Sequence, residues 1–142
     1  MIYVNNIIDE LLLLADKAEK NGDIPIGAVV VKDNKIIGKG YNTRHLNKDI
    51  TGHAEINAIK DASKYLSDWR LNGCDIYVTL EPCDMCLSVI KESRIDNVYY
   101  ILPNEEKHHY KKTSISNVIV PENIQLKIKE KLSDFFAKNL KR

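Results

Sequence analysis

No stretch of this sequence is long and apolar enough to cross a bilayer. The richest run, 7–15, is interrupted by Asp9 and Glu10 and followed by Asp16, whereas a spanning helix needs about 20 apolar residues. The same acids disqualify it as the apolar core of an export signal. The expectation is a cytoplasmic protein with no membrane partner. Cysteine is scarce and odd in number, Cys74, Cys83 and Cys86, which argues against a disulfide framework. An excess of one charge is also lacking. The 21 Lys and Arg against 20 Asp and Glu leave a formal net charge of +1, so composition alone carries no nucleic-acid signal. Two local basic clusters, 107–112 and 138–142, read as a solvated loop and a fraying helix end. Repeats, linkers and low-complexity segments are missing. What is present, 142 residues with 44% hydrophobic and 29% charged side chains, suits a single globular domain over 1–142.

Apolar residues recur at helical spacing over 5–20, and Asn21-Gly22 supplies a residue type that closes a helix. Residues 26–31 are β-branched and nearly continuous, as in a buried strand. Asp33-Asn34 reads as a turn, with 35–41 returning as a second strand to form a hairpin. A loop over 42–52 precedes helical spacing at Ala54, Ala58, Ile59 and Ala62. Residues 75–80 form a strand, Pro82 stands where a helix would begin, and that helix runs to about 94. Strands follow at 97–102 and 117–120, separated by a polar segment over 103–115. The stripe Ile124, Ile128, Leu132, Phe135, Phe136 and Leu140 makes a terminal helix. The order α-β-β-α-β-α-β-β-α predicts an α/β fold, one mixed sheet with helices on both faces.

The chemistry concentrates in His53-Ala54-Glu55 and Pro82-Cys83-Asp84-Met85-Cys86, each at an expected helix start. Cysteines three apart share one side of a first turn, and the helix dipole there favours thiolate, the metal-binding form. Two thiolates and an imidazole make three ligands, one fewer than a structural zinc site takes. Such a site keeps a position for water, whose pKa zinc lowers from about 15.7 towards 7. Glu55, two positions from His53, is set to move that water's proton rather than to ligate. A redox dithiol has no use for the upstream His-x-Glu, and a zinc ribbon needs a second Cys-x-x-Cys. Cys74, alone before a strand, reads as a small buried hydrophobe. His45, His108 and His109 fall in loops and read as solvated.

The combination His-x-Glu with Pro-Cys-x-x-Cys is the zinc-deaminase signature. The chain resembles the bacterial tRNA adenosine deaminases of the cytidine deaminase-like superfamily. The resemblance extends through 24–29, Gly40-Tyr41-Asn42, the stretch 79–86, Ser93-Arg94-Ile95 and 132–136. It implies a three-layer α-β-α sandwich on a mixed five-stranded sheet. It also implies one Zn2+ per chain held by His53, Cys83 and Cys86, with Glu55 as the proton shuttle. Asn42, Ala54 and Asn104 become the substrate-binding residues. Asn104 occupies a position where the family tends to carry Asp, and the segment after it looks short against the family pattern. The implied activity is hydrolytic conversion of adenosine to inosine in RNA, at the wobble position of a tRNA anticodon, by a homodimer. Two other readings stay open: a zinc deaminase of a free base or nucleoside of guanine or cytosine type, and a non-catalytic zinc RNA-binding module.

Overall fold

The computed structural model describes residues 2–104 and 115–139. Helix α1 (Ile2–Lys20) precedes a hairpin of β1 (Gly27–Lys32) and β2 (Lys35–Tyr41). A short turn of helix, α2 (Arg44–Asn47), leads into α3 (Ala54–Leu66). Then come β3 (Asp75–Leu80), α4 (Asp84–Glu92), β4 (Asn97–Leu102), β5 (Ile115–Asn117) and α5 (Glu122–Asn139). Five strands form one sheet in the order β2-β1-β3-β4-β5. β1 runs antiparallel to β2 and β3, while β3, β4 and β5 are mutually parallel. The expected mixed five-stranded α/β sheet is present.

Local chemistry accounts for the joints. Gly22 takes φ +78° beyond α1, and the Asp23 N–H reaches back to the Ala18 carbonyl, a left-handed helix closure. Asp33 and Asn34 both have positive φ, 50° and 62°, the turn that matches strand twist in a two-residue hairpin. Strand alternation separates two cores. Ala28, Val30, Ile76 and Val78 face α3 and α4, with Ala54, Ala58, Ala62 and Ile90 packed on them. Val29, Ile101 and Leu102 face α1 and α5, against Ile7, Leu11, Leu14 and Ile128. Cys74 is wholly buried in the first core, as its sequence context implied.

Helix α3 sits unusually close to β2. A Cβ on Gly40 would lie 2.3 Å from the Ala54 carbonyl oxygen and 2.4 Å from the Ala58 nitrogen. One on Gly38 would lie 2.5 Å from the Ala58 carbonyl oxygen. Two glycines facing a row of alanines bring helix backbone onto strand backbone, which fixes where α3 begins.

Three boundaries differ from expectation. The loop over 42–52 contains α2, which four residues cannot signal by periodicity. Helix α4 starts at Asp84 with Cys83 as its extended N-cap (φ −73°, ψ 173°), so Pro82 precedes the cap instead of opening the helix. The last strand is Ile115–Asn117 rather than 117–120. Its ladder ends where the Asn117 amide turns back to the Ile101 carbonyl, 3.0 Å away, after the Val118 N–H has bonded Tyr100. The basic cluster 107–112, His108, His109, Leu140, Lys141 and Arg142 lie outside the described residues.

Gly40→Ala should destabilise the fold by about 2 kcal/mol or more, since an added methylene in a tight core typically costs about 1–3 kcal/mol and here the clash is with backbone. Urea unfolding reads this directly. An unchanged midpoint would mean α3 and β2 are not in backbone contact.

Candidate metal centre and cleft

Both parallel strands β3 and β4 end at the same edge of the sheet, and a cleft of about 720 Å³ opens there. Open α/β sheets place ligands beyond the carboxyl ends of their strands. Leu80, Glu81, Leu102, Pro103 and Asn104 line it together with His53, Glu55 and Cys83. Across from them stand Leu132, Ser133 and Phe136 of α5.

His53 is the N-cap of α3, in extended conformation (φ −90°, ψ 149°), and this turns its ring towards the start of α4. Its Nδ1 lies 3.4 Å from Cys86 Sγ and 3.7 Å from Cys83 Sγ. All three ligand atoms fall within 4.8 Å of one another. A tetrahedral zinc with Zn–S about 2.3 Å and Zn–N about 2.0–2.1 Å separates S from N by about 3.6 Å, so the spacing fits a shared ion. Protonation chemistry agrees with that donor set. Cys83 is drawn down to about 4, chiefly by the hydrogen bond from Cys86 and then by His53 beside it. Cys86, the donor in that bond and more deeply buried, is pushed far above the ordinary thiol range. His53 is raised, first by its hydrogen bond to Cys83. Two thiols compete for one negative charge. A dication between them stabilises both thiolates, and sulfur with imidazole is a zinc donor set.

Glu55 is 4% exposed, and burial pushes its carboxyl up to about 7. It meets the Cys86 thiol and feels the charge on His53. Asn42 is buried with its Oδ1 accepting the Ala54 N–H at 2.8 Å. The Ala54 amide is therefore bonded within the protein, and the small Ala54 side chain is fully buried against Gly40. Asn42 itself lines the cleft. Asn104 also lines the cleft, its N–H donating to Glu81 Oε1 at 3.1 Å.

Sequence reasoning missed two anchors. Asp23, 1% exposed, accepts the N–H groups of His45 (2.7 Å) and Leu46 (3.2 Å), so His45 sits in a held turn rather than a free loop. Asn57 donates to the Tyr41 carbonyl and Thr43 Oγ1, both at 2.9 Å. A lone Asp after Asn-Gly gives no hint of a partner 22 residues away. Phe136, part of the apolar stripe of the terminal helix, is half exposed and lines the cleft.

Three ligand atoms within reach of one ion, beside a buried carboxyl, suit a metal-assisted hydrolase. Residues 3–102 match the family model described as the cytidine and deoxycytidylate deaminase zinc-binding region. A tRNA-specific adenosine deaminase of Aquifex aeolicus is 38% identical over 134 residues, 87% of this chain and 87% of that protein. The chain belongs to the zinc-binding cytidine and deoxycytidylate deaminase family, in its tRNA-specific adenosine deaminase branch. A solved structure from work on A-to-I editing by tRNA:A34 deaminases at the wobble position superposes with a TM-score of 0.79 at 29% identity, covering 90% of this chain and 99% of the other. Guanine deaminase from Bacillus subtilis gives a TM-score of 0.65 at 37% identity, over 70% of this chain and 64% of the other. Other curated relatives are matched over a smaller share of their length, from 7% of a chloroplastic tRNA(adenine(34)) deaminase of Arabidopsis thaliana to 62% of a Streptococcus pyogenes tRNA-specific adenosine deaminase. Among the described residues no helix is long and apolar enough to cross a membrane.

Folded Glu55 keeps its proton to about 7, against 4.5 for an ordinary glutamate. Between those values the folded state binds more protons than the unfolded one, so stability falls as pH rises through that window. In chelator-treated protein this should amount to roughly 3 kcal/mol by full ionisation, and Glu55→Gln should flatten the slope. Identical pH profiles of the urea midpoint in the two proteins would show that the carboxyl is hydrated.

Proposed function

We propose that this chain is a single-domain hydrolytic deaminase that converts adenosine to inosine in RNA, at the wobble position of a tRNA anticodon. The observation that carries the chemistry is geometric: Glu55, a nearly buried carboxyl two residues from His53, lines the same cleft as the ligand cluster. The match along most of both chains to the Aquifex relative supports the substrate.

His53, Cys83 and Cys86 would hold zinc, which supplies a water acidified towards neutrality. Glu55, buried beside that site, would take a proton from the water and return protons, first to the ring nitrogen and then to the departing amino group. The Asn42 NH2, oriented by the Ala54 amide, donates to a heteroatom of the base and fixes its angle. Phe136 offers an aromatic face for a base drawn out of its stack. Asn104, pinned through its backbone to Glu81, stands where the ribose would enter. We place the enzyme in the cytoplasm as a homodimer. Leu46 and Ile50, apolar and exposed at 50% and 71%, supply surface for self-association.

The 37% identity to a guanine deaminase supports a second reading, the same chemistry on a free base. Ammonia release from adenosine, cytidine, guanine, cytosine and an anticodon stem-loop separates the two. The stem-loop should be the preferred substrate, and efficient turnover of guanine with none of the stem-loop would establish the second reading instead.

Elemental analysis of protein from zinc-replete culture should find one zinc per chain, and Cys86→Ala should abolish it. Glu55→Ala should keep zinc and fold yet lose activity by about 10²–10⁴-fold, the usual share of a general acid–base group. Loss of zinc together with activity would make Glu55 structural.

A further inference from the structure

Asp23 is a buried carboxylate, 1% exposed, that lies outside the cleft. Among the described residues it forms no ion pair. Its two oxygens meet backbone instead: Oδ1 accepts the His45 N–H at 2.7 Å and Oδ2 the Leu46 N–H at 3.2 Å. These are the second and third residues of α2, whose N–H groups a helix's own N-cap side chain ordinarily serves. Thr43 holds that N-cap position but makes no side-chain capping bond. Its hydroxyl accepts from Asn57 instead. Asp23 therefore caps α2 from a separate part of the chain, 22 and 23 residues away.

A four-residue helix does not persist alone, because nucleating it costs more than its few bonds return. A buried carboxylate without hydrogen bonds is costly as well. Each satisfies the other, and Asp23 is itself fixed from the α1 side, its N–H bonded to the Ala18 carbonyl at 3.0 Å. The capped turn touches the residues that lead into His53. The Thr43 N–H donates to the Gly52 carbonyl at 2.8 Å, and the His53 N–H to the Thr51 carbonyl at 2.8 Å. A Cβ on Gly52 would lie 2.9 Å from the Arg44 nitrogen. The 43–52 loop thus closes on itself, with the start of α2 against the residue just before His53. Asp49 stiffens its return limb by accepting the Thr51 N–H and hydroxyl at 2.9 and 2.7 Å. Of the three clustered ligand side chains, His53 alone comes from this loop, while Cys83 and Cys86 arrive with α4.

We infer that Asp23 is a positioning residue for the metal centre: by capping α2 it fixes the 43–52 loop and, through Thr43 and Gly52, sets the His53 imidazole against the two cysteine sulfurs. This rests on the assignment of His53 as a zinc ligand. An imidazole on a loosened loop spends less time at the ion, and partners that orient a ligand commonly account for about 10–100-fold in metal affinity.

Zinc release tests this without recourse to turnover. Zinc-loaded protein is mixed with excess 4-(2-pyridylazo)resorcinol, and the coloured complex is followed with time. Asp23→Asn, which puts a donor where one acceptor oxygen stood, should speed release about tenfold. Amide hydrogen exchange should show His45 and Leu46 losing protection in the same variant. Thr43→Val removes the hydroxyl that Asn57 holds at the same turn. It should speed release too, and add less than its separate effect when combined with Asp23→Asn, since both act through one loop. Ile128→Val weakens the core on the opposite face of the sheet. It should lower the urea midpoint and leave the release rate unchanged. Unchanged release from Asp23→Asn would overturn the inference, and so would equal acceleration in Ile128→Val. If Asp23→Asn does not fold, Thr43→Val decides, an unchanged rate again overturning it. His53→Ala separates this inference from the ligand assignment. Zinc held by His53→Ala as firmly as by the parent would overturn His53 as a ligand. Zinc lost from His53→Ala, with release from Asp23→Asn unchanged, would keep the metal site and remove only the role of Asp23.

Discussion

The seating of α3 directly on β2 is the contact from which the site's geometry follows. Gly38 and Gly40 present no side chains, and Ala54, Ala58 and Ala62 present the smallest ones. Backbone therefore meets backbone, and the first turn of α3 is set by close contact with the sheet. Asn42, one residue past β2, then reaches the Ala54 amide. His53 and Glu55 flank that bond, so imidazole and carboxyl inherit their positions from the sheet. Any side chain at Gly40 would move the helix start and carry both groups away from Cys83 and Cys86.

The second half of the site arrives from a different part of the sheet. Strand β3 delivers Glu81, Pro82 and Cys83 at its carboxyl end, and α4 returns over the same core as α3. Cysteines one turn apart at a helix start are local geometry. Their closeness to His53, 30 and 33 residues earlier, is not. Helix α5, on the opposite face of the sheet, reaches past its edge to close the cleft with Leu132 and Phe136. The metal-ligand cluster and the α5 residues that line the cleft thus come from opposite layers of the sheet.

Glu55 illustrates an opposition between stability and activity. Burial raises the proton affinity of its carboxyl, and the same burial disfavours its charged form in the fold. A fully hydrated glutamate would be harmless to stability and, at its ordinary pKa, a poor acid at neutral pH. Adjacent thiols add negative charge that a bound dication offsets, so ligand set and proton carrier depend on each other.

By itself the sequence determined what depends on neighbours in the chain. β-branched runs marked β1 and β3, Asp33-Asn34 marked the hairpin turn, and alanine spacing marked α3. The metal motifs were legible because Cys-x-x-Cys at a helix start and His-x-Glu are local patterns tied to particular chemistry. Tertiary structure decided the rest. Helix α2 exists through Asp23, Asn117 ends β5 by bonding β4, and Phe136 leaves an apolar stripe to wall a cleft that only α5's packing creates. Ala54 shows the same division in one residue. Its place beside His53 was readable, whereas the loss of its amide to Asn42 required the strand and helix to be brought together. Periodicity and spacing encode which face a residue presents, but a hydrogen bond between distant segments forms only after packing has set their separation to within a fraction of an ångström.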